Sequence, residues 1–167
     1  IGFTLFAETD DFWTKTLKKD LTAITINDVR EWIASKGFYP DAVNDENYKD
    51  ENNIINQFVT YHLLPMRLAV DKLVIHYNEK GFNPKGRNKT PTVPVWSHYV
   101  TMGKRRLLRL WESAESKGVY LNRFPVLDNG RHGTYHEISC TSENEGIFLN
   151  TDVDSKLVKL ANSIIYP

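Results

Sequence analysis

Hydrophobic and polar residues follow two different patterns along this chain, and the change falls near residue 80. Before it, apolar residues recur every three or four positions, which predicts helices. After it, short β-prone runs separated by Gly- or Asn-containing turns predict strands. Helices followed by strands favour an α+β fold over a parallel α/β sheet.

A strand and two capped helices are predicted at the start of the chain. Residues 3–7 are short, apolar and β-prone. Thr9 is predicted to cap the first helix, and Asp10 lies in its first turn, where a negative charge suits the helix dipole. The second helix is predicted to begin at a cap, Thr25 or Asn27, and to end at a glycine.

A third helix is predicted to start near Asp50 and to stop at Pro65, because a proline disfavours helical backbone at the residue before it. The spacing of Ile55, Val59 and His62 places them on one face of this helix. His62 should therefore be partly buried and hydrogen-bonded near the helix C-terminus, where free carbonyls accept. A structural role is favoured over catalysis, because no acid or nucleophile is paired with it in sequence.

The second half of the chain is predicted to consist mainly of strands. Residues 81–91 form a long loop by their Gly, Pro and Asn content, and the polar residues 38–51 form another. The segments 118–122 (GVYLN) and 146–150 (GIFLN) are alike, and each fits a strand entered from a glycine turn. The predicted strands are 92–102, 106–112, 119–124, 134–140, 147–150 and 164–166, with a short strand or helical turn at 156–161.

Composition narrows the classes of function. The chain has 167 residues, of which 41% are hydrophobic and 25% charged, as in an ordinary globular domain. Its 21 basic and 21 acidic residues leave no net charge, which argues against a nucleic-acid partner. With Cys140 as its only cysteine, the chain forms no internal disulfide. It contains no apolar run of about 18 residues to span a membrane.

The sequence contains no strong catalytic motif. It contains one weak pattern of metal ligands. His132, His136 and Cys140 are spaced by four, which on a helix would align three zinc ligands. The glycines at 130 and 133 and the β-prone residues after them favour a turn and a strand, so we predict no metal and no cofactor. A hydrolase built on His132, His136 and Glu137 is the weakest functional hypothesis.

Aromatic and basic side chains offer candidate ligand sites. Arg105 and Arg106 lie near Trp96 and Trp111 in sequence, a combination that binds single-stranded nucleic acid or anionic glycans in other proteins. With zero net charge, a solvated turn is the favoured interpretation of the two arginines. Trp96 and Trp111 are the tryptophans freest to stack on a sugar, because the other two lie on predicted helices.

Three segments resemble signatures of the fasciclin (FAS1) domain family. Residues 4–13, TLFAETDDFW, are similar to its first signature, with Glu8 where the family usually has proline. Residues 56–65 resemble its Tyr-His segment, and residues 162–166, NSIIY, resemble its last signature. The family-motif positions are Thr9, Asp10, Tyr61, His62, Pro65 and Asn162.

The resemblance implies an α+β fold built as a β-sandwich wedge with helices clustered on one side. It implies one domain over residues 1–167, incomplete at both ends, with the insertion at 38–51. It further implies a non-enzymatic adhesion module, extracellular or on the cell surface, that binds a protein or glycan without a cofactor. Bacterial members are often surface lipoproteins, so the resemblance implies membrane attachment only through an anchor outside this chain.

The role of the Tyr-His segment and the class of ligand each have a second interpretation. In some animal members the Tyr-His segment is implicated in integrin binding, but the predicted burial of Tyr61 and His62 favours a structural role here. The alternative function is a carbohydrate-binding component of a surface nutrient-uptake system. Trp96, Trp111 or nearby loop aromatics would then carry the binding, and loss of glycan binding on replacing Trp96 or Trp111 with alanine would favour this alternative.

Overall fold

The computed structural model of the protein describes residues 2–68, 73–74, 95–104, 106–113, 118–129, 135–141, 144–149, 158–159 and 163–166. Although the sequence pattern predicts one domain, its contacts divide the chain into two compact units that alternate along the sequence. The first unit comprises residues 1–67, 100–106 and 158–167, and the second comprises 68–99 and 107–157.

The α+β prediction is confirmed, with helices early in the chain and strands later. The helices are α1 (Asp10–Leu17), α2 (Ile26–Lys36) and α3 (Ile54–Tyr61), and a single 3₁₀ turn spans Leu21–Ala23. The strands are β1 (Phe3–Phe6), β2 (Leu63–Leu64), β3 (Val95–Val100), β4 (Leu107–Ser113), β5 (Gly118–Leu121), β6 (Val126–Asn129), β7 (Tyr135–Ser139), β8 (Ile147–Phe148), β9 (Val158–Lys159) and β10 (Ser163–Tyr166).

The first two helices begin at predicted caps, and the second ends at the predicted glycine. The hydroxyl of Thr9 accepts a hydrogen bond from the backbone N–H of Phe12 and caps α1. Thr25 and Asp28 form a reciprocal capping box at the start of α2, each side chain accepting from the other's backbone N–H. Gly37 ends α2 with a φ of 65°, in the left-handed region that glycine adopts without strain.

The predicted bounds of α3 are wrong at both ends. The helix begins at Ile54, because Asn53 rather than a residue near Asp50 caps it. It ends at Tyr61, so Pro65 does not stop it. After the turn at His62 the backbone no longer forms helical hydrogen bonds and instead pairs, as β2, with β1. The local sequence did not reveal β2.

The first unit contains a four-stranded sheet in the order β2-β1-β10-β9. β1 lies in the middle, antiparallel to β2 and parallel to β10, with Phe3 opposite Ser163 and Phe6 opposite Tyr166. Consequently the three segments that resemble the family signatures contribute three adjacent strands. The 156–161 segment, predicted as a strand or a helical turn, contains the strand β9.

The helical core of the first unit forms between α2, α3 and the loop that joins them. Its buried members are Ile33, Tyr39, Ile54 and Ile55. Each large apolar side chain removed from water in this way stabilises the fold by about 1.5–3 kcal/mol. The amphipathic spacing of α2 and α3 therefore supplies most of the force that holds these two helices together.

The predicted insertion, residues 38–51, belongs to a compact loop organised by one asparagine. Asn53 is 0% exposed, and its side-chain oxygen accepts hydrogen bonds from the N–H groups of Ile55 and Asn56. Its amide nitrogen donates to both the backbone carbonyl and the carboxylate of Asp45. A bridge between Val43 and Asn53 completes the closure.

The second unit contains a four-stranded sheet in the order β3-β4-β5-β8 and a separate hairpin, β6-β7. The two GVYLN-like segments pair with each other in it, with Tyr120 opposite Phe148 and Leu121 opposite Ile147. The predicted strand 119–124 ends at Leu121, because Asn122 takes a left-handed φ of 53°. The buried side chains of this unit include Leu73, Val74, Leu108, Leu110, Trp111, Leu121 and Leu149.

Three further comparisons of sequence and structure concern one strand, one loop and the crossing of a membrane. The sequence did not predict β6. Loop 81–91 lies outside the residues that the structure describes. None of the helices in the described part of the chain has the length and apolar character needed to cross a bilayer.

Candidate functional site

His62 joins three segments of the first unit. Its Nδ1 lies 2.7 Å from the carbonyl oxygen of Phe58, one turn back in α3. Its Nε2 lies 2.9 Å from Oε1 of Glu8, in the loop between β1 and α1. Its own carbonyl accepts a hydrogen bond of 3.0 Å from the N–H of Phe6 in β1. The prediction of a partly buried, hydrogen-bonded histidine is confirmed, since its side chain is 19% exposed.

These two ring contacts favour the doubly protonated ring of His62. The Phe58 carbonyl can only accept, so Nδ1 must carry a proton. The Glu8 carboxylate, when ionised, also only accepts, so Nε2 must carry one as well. Burial lowers the pKa of His62, but the hydrogen bond and charge of Glu8 and the Phe58 carbonyl more than offset it and raise the pKa above 6.5. The contacts of the ring therefore favour the protonated form of His62 beside the Glu8 carboxylate.

A tyrosine and an arginine also pack together in the first unit. The Arg106 guanidinium lies 5.1 Å from the centre of the buried Tyr39 ring, at cation–π distance. Burial raises the pKa of Tyr39 to about 12, although the charge of Arg106 acts in the opposite direction. At neutral pH this phenol is un-ionised, and the ring acts as a packing group in the helical core.

The family-motif residues have mostly structural roles in this geometry. Thr9 is a helix cap, and Asp10 is the exposed first residue of α1. Tyr61 is half-buried at the end of α3, with its ring edge-on to His62 at 5.6 Å. Pro65 is exposed just after β2. Asn162 lies outside the described residues.

A group of aromatic rings in mutual contact lies on and beside the helices of the first unit. We call it the helical aromatic cluster. Neighbouring rings meet edge to face at 5.1–6.5 Å, the geometry that aromatic pairs prefer. Its ends reach the surface, where Phe38 is 54% and Phe12 37% exposed. The members are Phe12, Trp13, Trp32, Phe38 and Phe58.

A second set of aromatic side chains crosses the sheet of the second unit. Trp111 on β4 lies opposite Tyr120 on β5, which lies opposite Phe148 on β8. Trp96 on β3 stacks on Trp111 with ring centres 5.0 Å apart and planes 5° from parallel. One aromatic residue from each of the four strands therefore forms a continuous row, which we call the sheet aromatic row.

Arg109 lies against one end of this row. Its guanidinium carbon is 4.6 Å from the ring centres of Trp111 and Phe124 and 5.3 Å from that of Trp96. Arg109 and Trp111 are two positions apart on β4, so both project from the same face of the sheet. The Nε of Arg109 is buried and has no hydrogen-bond partner.

These observations correct the predicted ligand site. Trp111 is 0% exposed, because Trp96 and Arg109 cover it, so its ring cannot serve as an open sugar platform. Arg106 packs on Tyr39 in the first unit, and Arg105 lies outside the described residues. Sequence reasoning chose the arginines of the basic run and missed Arg109. The alternation of Arg109 and Trp111 on a strand was the available signal.

The histidine–cysteine pattern does not have helical geometry. Residues 135–139 form strand β7, as predicted, so His136 lies on a strand and Cys140 just beyond it. His132 lies outside the residues described. Among the residues that the structure does describe, no group of three or more His, Cys, Asp or Glu side chains is placed to hold a metal ion.

Comparison of the chain with protein-family models, with curated proteins and with solved structures finds no match in any of the three.

Proposed function

We propose that this chain is a FAS1-like interaction module that works outside the cell or on its surface, binding a protein or glycan partner without catalysing a reaction. The observation that carries the proposal is the adjacency of β2, β1 and β10 in one sheet. These strands come from the three segments that resemble the FAS1 signatures, and they are distant in sequence. Because the three segments pair in one sheet, each of them has a structural reason to resemble a FAS1 signature.

The environment of His62 supports a role without catalysis. A general base or acid must reach a substrate with a free ring nitrogen. Both ring nitrogens of His62 face groups of the fold, the Phe58 carbonyl and the Glu8 carboxylate. The histidine of the Tyr-His segment therefore fastens α3 to the loop before α1.

The helical aromatic cluster supports an interaction role. Binding surfaces are enriched in aromatic residues, because a large ring buries much apolar area with few rotatable bonds. Phe38 and Phe12 expose such area at the ends of the cluster. Lys36 lies 5.6 Å from the ring centre of Trp32 and adds a positive charge beside it.

Binding measurements test this proposal directly. The purified chain, immobilised on a sensor, is exposed to a panel of extracellular proteins and to a glycan array. We expect saturable binding to at least one member, with that member recovered chemically unchanged. Phe38→Ser should weaken binding to a protein partner at unchanged stability. Leu21→Ser removes an equally exposed apolar side chain outside the cluster and serves as the matched control.

Location needs its own measurement. Brief protease treatment of intact cells that express the full-length gene product should release peptides from this chain. Peptides obtained only after cell lysis would contradict a surface location. Turnover of a panel member by the chain, or no binding to any of them, would contradict the interaction role.

A further inference from the structure

The guanidinium of Arg109 is a charge with aromatic neighbours and an incomplete set of hydrogen bonds. Arginine stays protonated at neutral pH, so the charge is present even though burial lowers its pKa. Three rings surround the guanidinium, and its Nε is buried with no partner. Within the described ranges, no carboxylate lies at salt-bridge distance from it. A bound anion would complete both the charge balance and the hydrogen bonding.

Some of the rings beside Arg109 reach the surface. Phe124 is 48% exposed and lies 4.6 Å from the guanidinium. Trp96 is half-buried, with one face on Trp111. At the other end of the sheet aromatic row, Phe148 is 60% exposed. A ligand that reaches Arg109 would therefore meet ring surface as well as positive charge.

We propose that Arg109, Trp96 and Phe124 form a binding site for a uronic acid residue of an acidic polysaccharide. The planar fork of a guanidinium matches a carboxylate with two parallel hydrogen bonds. The C–H face of the same sugar packs on the exposed aromatic rings. This inference rests on the proposed interaction role, and it names the class of glycan and a site separate from the helical aromatic cluster.

A uronate fits this site better than a nucleic acid strand. Single-stranded nucleic acid carries a phosphate on every nucleotide and is bound along a positively charged groove. Among the residues that the structure describes, the other arginine against the row is Arg123, which lies 4.4 Å from the Tyr120 ring and is 8% exposed. The chain as a whole has no net charge. One accessible cation beside rings matches one carboxylate on one sugar.

Calorimetric titration and tryptophan fluorescence test the proposal. The probe is an oligogalacturonate of defined length, and its fully methyl-esterified form is the matched ligand, since it keeps the ring and lacks the charge. We expect the wild-type chain to bind the acid form and to change its tryptophan emission, because Trp96 lines the site. The ester should bind at least tenfold more weakly, because it loses a charge-assisted pair of hydrogen bonds.

Matched variants locate the site. Arg109→Gln should weaken binding of the acid form roughly tenfold or more. Arg67→Gln removes the same charge from an exposed position in the first unit and should leave binding unchanged. Phe124→Ala removes an exposed ring and keeps Arg109, so it tests the site even if Arg109→Gln unfolds. We expect it to weaken binding several-fold with an unchanged melting temperature.

Four outcomes would overturn this inference. They are equal affinity for the acid and its ester, unchanged binding by both Arg109→Gln and Phe124→Ala, tighter binding of poly(U) or dextran sulfate than of the oligogalacturonate, and no binding of the oligogalacturonate. If the chain binds another panel member through Phe38 and no uronate, the acidic-sugar site is wrong and the interaction role stands. If it binds nothing, both are wrong.

Discussion

The imidazole of His62 lies 2.9 Å from the carboxylate of Glu8, across 54 positions of sequence, and this contact fastens the end of α3 to the loop between β1 and α1. Glu8 stands where the FAS1 pattern usually has proline. In this chain, a departure from the family pattern supplies the partner of a residue that matches it.

Replacing Glu8 with glutamine should lower the free energy of unfolding by about 1–2 kcal/mol at pH 5.5, because a charge-assisted hydrogen bond becomes a neutral one. The pKa of His62 is raised in the folded state, so the stabilisation is complete below pH 6.5 and is lost as the pH rises through the folded-state value. Urea unfolding of both proteins at pH 5.5 and pH 9 measures the difference, which should shrink at the higher pH. Glu31→Gln, on the exposed face of α2, is the control.

Replacing His62 with alanine should lower the melting temperature clearly, because the change removes both ring contacts and leaves the partly buried Glu8 carboxylate without its partner. We expect a loss of about 2–4 kcal/mol in the free energy of unfolding. A His62→Ala protein as stable as wild type, yet unable to bind the partner found on the panel, would overturn the structural interpretation of His62.

Asn53→Ala should destabilise the first unit by about 2–3 kcal/mol, since it removes a helix cap and two part-buried hydrogen bonds to Asp45 together. Thr25→Ala removes the exposed cap of α2 and should lower stability by about 1 kcal/mol. Urea unfolding monitored by circular dichroism gives both values. Equal losses for the two variants would mean that the Asn53–Asp45 contact adds nothing.

Gly146→Ala should be severely destabilising for the second unit. Gly146 has a φ of 72°, and an added Cβ would lie 2.4 Å from the backbone oxygen of Leu121 and 2.7 Å from the backbone nitrogen of Arg123. These are backbone atoms, which cannot move aside without disturbing the sheet. Gly37→Ala has a similar φ of 65° but meets no atom within 4 Å, so it isolates the backbone strain, about 1 kcal/mol. Thermal unfolding of both proteins separates the two effects.

Local features of this chain could be predicted from its sequence, and contacts between distant segments could not. The caps Thr9 and Thr25 and the stop at Gly37 act within a few residues, so sequence reveals them. The burial of His62 follows from helical periodicity, but its contact with Glu8 does not. Periodicity shows which face of the helix is buried and does not show which residues pack against that face. β2 was missed for the same reason, since two residues form a strand only beside β1.

The ligand site illustrates the same limit. The sequence places Trp96, Trp111 and several arginines within a short stretch, which is enough to suggest an aromatic and basic site. Which arginine meets the rings depends on the pairing of β3, β4 and β5 and on the turn after β5, where Phe124 lies. Proximity in sequence offered Arg105 and Arg106 as candidates, whereas the strand pairing brings Arg109 to the rings of Trp96, Trp111 and Phe124.

The parallel pairing of β1 with β10 has a consequence for biosynthesis. β1 leaves the ribosome before the second unit, but its partner strand β10 follows only after the second unit has been made. In the interval β1 has a bare hydrogen-bonding edge, which is the kind of edge that recruits strands from other chains. The second unit can reach its fold first, and the first unit closes only when residues 163–166 arrive. Nascent chains stalled before that point should therefore be the ones that depend most on chaperones.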